Sequence, residues 1–100
     1  MEEWTINTWK EKMKNHEVTA FYLYTPFCGT CKVASKMLEV IEELLPNIPI
    51  GKADINFLED FAFEQKIESV PCLIITKNGE IREKIYAFKS VPNLYEKLTL

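Results

Sequence analysis

Residues 18–24, VTAFYLY, are apolar almost without a break and rich in β-branched and aromatic side chains. A run of that kind predicts a strand buried on both faces, and Thr25-Pro26 ends it. From residue 32 the period changes, because KVASKMLEVIEELL sets Val33, Met37, Val40, Ile41 and Leu44 at helical spacing. This predicts an amphipathic helix over 32–45 with those residues turned inward, stopped by Pro46. Upstream, Thr8-Trp9-Lys10-Glu11 fits a capping box, so a short helix over 8–14 is expected. PIGKAD at 49–54 predicts a second strand, and Leu58, Phe61 and Ala62 predict a helix over 57–65 with Asn56 as its N-cap. CLIIT at 72–76 reads as a third buried strand. Asn78-Gly79 is the pair favoured in a type I′ turn, which makes the following IREKIYAF its hairpin partner. Ser90 caps a last helix, with Pro92 in its first turn and Leu94 and Leu98 facing inward.

A strand–helix–strand unit crosses over right-handed into a parallel pair, and the terminal hairpin adds an antiparallel edge. The expected class is therefore α/β, with a mixed four-stranded sheet flanked by helices on both faces. A short extra N-terminal strand is a variant of the same plan. One hundred residues make a single domain, 1–100.

Hydrophobic residues are 47% and charged residues 27% of the chain, the balance of a globular protein with its own core. Disulfide staples are not needed, and three cysteines is an odd number for a scaffold of bridges. The start, MEEWTINTWK, lacks the basic and apolar regions of a signal peptide, and no apolar run is long enough to span a bilayer. A cytoplasmic location is expected, with no membrane contact. Net charge is −3 with the signs mixed, so no basic stripe exists to hold nucleic acid, and Glu2–Glu3 and Glu42–Glu43 read as solvated surface.

Two of the three cysteines stand in TPFCGTCK, three residues apart. Such a pair is open to three readings: a redox couple, half of a metal site, or an accident of packing. Its place decides much of the matter. Cys28 follows a buried strand and precedes a strong helix, where free N–H groups and the macrodipole favour an anion. A thiol there ionises below the ordinary value of about 8.5, and the thiolate is the attacking species. Cys31 lies one turn further along the same face, near enough for a disulfide. Gly29 and Thr30 are small and leave the approach to Cys28 open.

The whole arrangement resembles the thioredoxin family over roughly residues 18–98: strand, aromatic residue, CxxC followed by Lys32, long helix, then Val70-Pro71 opening a strand some forty residues on. The resemblance implies the thioredoxin-like fold, with Pro71 as a cis-proline against the Cys28–Cys31 pair and Val70 as the residue whose backbone pairs with substrate. Phe27 stands where the family usually has a tryptophan, and Lys52 matches a lysine near the buried cysteine. Four further positions depart from the pattern. Thr30 replaces a proline, leaving an N–H that can stabilise the Cys28 thiolate and raise the potential above the roughly −270 mV of thioredoxin. Tyr22 replaces a buried aspartate six residues before Cys28. A phenol is a poor base at neutral pH, so Cys31 is expected to lose its proton slowly and Lys52 to lack a carboxylate partner. Tyr86 stands in the groove where the family glycine aligns. Cys72 replaces a threonine, and reads either as a small buried residue or as a third thiol beside the pair.

The function implied is a thiol–disulfide oxidoreductase cycling Cys28 and Cys31, acting on disulfide-bearing proteins and supplied with electrons by a reductase or a low-molecular-weight thiol. It needs no cofactor and is expected to be a monomer. The alternative is a module holding a soft metal on Cys28, Cys31 and Cys72; copper(I) suits three thiolates better than zinc, which usually takes four ligands. His16, the only histidine, reads as exposed, while Trp4, Trp9 and the phenylalanines at 57, 61 and 63 are expected to pack the core or its edge.

Overall fold

A computed structural model describes residues 1–100. In chain order the elements are β1 (Glu2–Glu3), α1 (Ile6–Asn15), β2 (Val18–Tyr24), α2 (Gly29–Leu44), β3 (Ile50–Asp54), a 3₁₀ turn (Ile55–Phe57), α3 (Glu59–Glu64), β4 (Cys72–Lys77), β5 (Glu80–Ile85) and α4 (Val91–Thr99). The five strands form one sheet in the order β1-β3-β2-β4-β5. β3 runs parallel to both β1 and β2, while β4 is antiparallel to β2 and β5. The N-terminal variant of the plan is thus the one adopted, with Glu2 and Glu3 as a short outer strand.

β2 is the centre of the sheet and is covered on both sides, as its apolar run predicts. Ala20 and Tyr22 face the core under α2 and α4, with Leu38, Ile41, Leu73, Leu94 and Leu98. Phe21 and Leu23 face the other core, with Trp4, Trp9, Phe61 and Ile74. The period-two alternation of side chains sends successive residues of one strand into two different cores. The hairpin turn has Asn78 at φ 53° and Gly79 at φ 81°, the double positive φ that a type I′ turn demands.

Several local readings are corrected. α1 is capped by Thr5, whose hydroxyl accepts from the Thr8 amide at 3.1 Å, so the helix starts before the Thr8–Glu11 box. The earlier start still buries Trp9. Residues 55–65 break in two: Asp54 caps the 3₁₀ turn through the Asn56 amide at 2.9 Å, and Asn56 caps no helix. In α2 the buried stripe is Cys31, Ala34, Leu38 and Ile41, whereas Val33, Val40 and Leu44 are exposed. Both stripes have helical spacing. The stripe from Cys31 to Ile41 is the one that packs, with Ala34, Leu38 and Ile41 set against Ala20, Tyr22 and Leu73 of the sheet and Leu94 and Leu98 of α4. Phe57 and Phe63 are also exposed, leaving Phe61 alone of the three in the core.

Candidate active site

The chain leaves β2 at Tyr24, turns through residues 25–27 and enters α2 with Cys28 as its N-cap residue, in extended conformation. The Cys28 and Cys31 Cα atoms are 5.2 Å apart and the sulfurs pair as a disulfide. Cys28 Sγ accepts from the Cys31 backbone N–H at 3.2 Å and lies 3.3 Å from the Thr30 hydroxyl. The donors around this sulfur are therefore the Cys31 amide and the Thr30 side chain, not the Thr30 amide that sequence reasoning favoured. Cys28 is partly exposed and Cys31 is buried, so one sulfur faces incoming molecules and the other sits beneath it.

Beside the pair lies a groove of about 470 Å³ lined by Thr30, Val33, Val70, Pro71, Tyr86 and Phe88 among others, with Lys89 as its only charge. The Val70–Pro71 peptide is cis and Pro71 is buried. Val70 and Pro71 thus meet the CxxC turn across one groove. Phe27 does not line it. It is 97% exposed on the turn before Cys28. Tyr86 reaches the groove with its ring pinned, because its hydroxyl accepts from the Glu68 amide at 3.2 Å.

Tyr22 is fully buried, and its hydroxyl donates to the Cys31 carbonyl at 2.8 Å while accepting from Ser35 at 3.3 Å. Burial pushes the phenol above its ordinary range, against a smaller pull from Ser35, so it supplies no base at neutral pH. Ser35 was not foreseen; its signal was only its position, one turn after Cys31 on the same helix. Lys52 is directly opposite Tyr22 in the sheet, but its expected isolation is wrong. Its ammonium lies 3.9 Å from the Glu3 carboxylate and 5.5 Å from the centre of the Tyr24 ring. Glu3 supplies this partner because β1 pairs Glu3 with Lys52, and it also accepts from the Tyr24 hydroxyl at 2.7 Å.

Cys72 follows Pro71 but turns to the far core, packed with Phe21, Leu23, Phe61 and Ile74. Its thiol is in no disulfide and is wholly buried. No three His, Cys, Asp or Glu side chains come together as a metal site, so Cys72 does not complete one with the pair. His16 is exposed at the end of α1, its ring donating to the Lys12 carbonyl at 3.2 Å.

A family model described as thioredoxin matches residues 1–99. The chain belongs to the thioredoxin family. Among its relatives is the thioredoxin-like protein YusE of Bacillus subtilis, 50% identical over 80 residues that span 80% of this chain and 76% of that protein. Thioredoxin from the same bacterium is 31% identical over 74 residues, 73% of this chain and 71% of the relative. Oxidised mitochondrial thioredoxin 3 from Saccharomyces cerevisiae superposes with a TM-score of 0.86 at 20% identity, covering 99% of this chain and 93% of that one. This thioredoxin-family protein is a thiol–disulfide oxidoreductase that acts on disulfides, with its cysteine pair at bonding distance. None of its helices is long and apolar enough to cross a membrane.

The environment of Cys72 carries a pH prediction. Burial raises its thiol to about 11, with smaller opposing pulls from Tyr86 and Lys84. A folded-state pKa above the unfolded one stabilises the fold below pH ~9 and loses that contribution as pH rises towards ~11. Two units on a wholly buried group correspond to up to about 3 kcal/mol. Urea melts at roughly pH 8 and pH 10.5 are expected to show a steeper loss for the wild type than for Cys72→Ala. Tyr24, pushed up to about 12 chiefly by burial, is common to both proteins and cancels in the difference. Parallel pH slopes would contradict this account of Cys72.

Proposed function

We propose that residues 1–100 act as one monomeric, cytoplasmic domain that reduces or exchanges protein disulfides, with Cys28 as the attacking and Cys31 as the resolving thiol. What supports this is one asymmetry: Cys28 Sγ is reachable and surrounded by donors, while Cys31 is buried one turn behind it. The Cys28 thiolate attacks one sulfur of a substrate disulfide, forming a mixed disulfide and releasing a thiolate that takes a proton from solvent. Cys31 gives its proton to solvent and attacks Cys28 Sγ, which releases the second substrate sulfur. Two electrons leave the dithiol and the Cys28–Cys31 disulfide remains. A reductase or a low-molecular-weight thiol then restores the dithiol, and the cycle calls on no cofactor in this domain.

In this reading the groove takes the substrate chain on the far side of the attacked bond. Val70 offers backbone to it, Pro71 shapes the floor, and exposed Phe27 provides an apolar contact outside the groove. Lys52 and Tyr22 are auxiliary, and Cys72, buried in the opposite core, takes no part. The donors at Cys28 favour the reduced form, so the potential is expected between about −270 and about −200 mV.

The test is titration across defined thiol/disulfide buffers, read by alkylation and intact mass. A single two-electron couple joining Cys28 and Cys31 in that interval is the expected result. Absence of a couple, with tightly bound metal in the purified protein, would overturn it in favour of a soft-metal module.

A further inference from the structure

Tyr22 lies beneath the redox turn and takes no part in the exchange as written above. Its ring is stacked on Tyr24 at 5.8 Å and meets Phe88 edge-on at 5.9 Å, so the hydroxyl is fixed in place by packing. That hydroxyl donates to the Cys31 carbonyl at 2.8 Å and accepts from Ser35 at 3.3 Å. The N–H of Cys31 in turn donates to Cys28 Sγ at 3.2 Å. Cys31 is therefore gripped at its carbonyl by the central strand while its amide aims at the reactive sulfur.

We propose that Tyr22 is a positioning residue for the dithiol, holding the Cys31 backbone so that its N–H is preset to stabilise the Cys28 thiolate. The proposal rests on the reading of Cys28 as the attacking thiol. The chemistry suits a phenol and excludes an ionised carboxylate. An ionised acid has no proton to donate to a carbonyl and would repel it, whereas a buried phenol keeps its proton at neutral pH. Ser35 reinforces the arrangement, because a phenol that accepts one hydrogen bond donates another more strongly. The strand residue six places before Cys28 thus serves the attacking sulfur through the backbone rather than serving Cys31 as a base.

Tyr22→Phe removes the hydroxyl and keeps the ring, so the fold is retained. Two quantities report on the site: the thiol–disulfide exchange constant of the full chain with glutathione, and the pH profile of Cys28 alkylation. With its donor loosened, the thiolate is less stabilised and the disulfide is favoured. The exchange constant is expected to move about threefold towards the disulfide, about 14 mV more reducing at 29.6 mV per tenfold. The alkylation profile is expected to shift to higher pH. Ser35→Ala leaves Tyr22 in place and is expected to shift both readings the same way by a smaller amount. A Tyr22→Phe protein that is merely less stable, with both readings unchanged, overturns the proposal. If the wild type itself shows no exchange at Cys28–Cys31, the underlying site reading fails and the positioning role fails with it.

Discussion

Cys28→Ser is expected to lose protein-disulfide reduction, by on the order of a thousandfold or more, while Cys31→Ser keeps the first half of the reaction. A serine hydroxyl stays protonated at neutral pH and does not displace sulfur from sulfur, so the first variant has no attacking group. The second retains a partly exposed Cys28 sulfur beside the Thr30 hydroxyl and the groove. It lacks the buried thiol that would release the substrate. A mixed disulfide should therefore accumulate, one substrate per chain, and survive until an external thiol is added. Reduction of insulin followed by turbidity gives the rates, and non-reducing intact mass gives the trapped species. Turnover by Cys28→Ser near the wild-type rate would remove the attacking role from Cys28. Trapping by Cys28→Ser instead of Cys31→Ser would reverse the two roles.

Gly51→Ala is expected to be the most destabilising small change in the chain. Gly51 sits in β3 opposite Phe21 of β2 and Glu2 of β1. A Cβ built on it overlaps the Trp4 ring itself. Trp4 cannot withdraw at low cost: it is 5% exposed, its ring lies tilted against Phe21 at 5.8 Å, and its amide donates to the Lys52 carbonyl at 2.8 Å. Overpacking of this kind costs about 3 kcal/mol or more when backbone or a large ring has to move. For a domain of this size that lowers Tm by roughly 12–24 °C. Gly29→Ala makes the control, because a Cβ there meets nothing and its helical position favours alanine by up to about 1 kcal/mol. Urea melts of the two variants decide the matter. In a Trp4→Ala background the added Gly51→Ala change should cost little, since the ring that it strikes is gone. A full additional cost there would place the strain somewhere other than Trp4.

The position of Gly51 was invisible in PIGKAD, where a glycine in a short strand reads as mere weakness. Its meaning depends on Trp4, forty-seven positions earlier, folding back over β3. Glu3 has the same history. As one of two adjacent glutamates it looked like solvated surface, and it is exposed. Yet the β1–β3 pairing makes it the partner of Lys52 and of the Tyr24 hydroxyl. Local composition could foresee neither contact, because both come from a parallel pairing with no local signal.

What the sequence determined by itself is everything that local periodicity and covalent spacing can specify. The nearly unbroken apolar run VTAFYLY set β2 between two cores, and Asn78-Gly79 set the hairpin, since those backbone angles suit few other pairs. Two residues between the cysteines at a helix start set the disulfide reach of Cys28 and Cys31. Tertiary structure decided what periodicity leaves degenerate. Val33, Val40 and Leu44 and the stripe from Cys31 to Ile41 fit a helix equally well, and only packing against the sheet and α4 chose the second. Proximity in sequence likewise put Cys72 beside Pro71 and the pair, but the side-chain alternation of β4 turned its thiol into the opposite core. The hydroxyl of Tyr22 had no readable partner until β2 and α2 were packed, because a hydrogen bond to a backbone carbonyl leaves no mark on the sequence of the residue that accepts it.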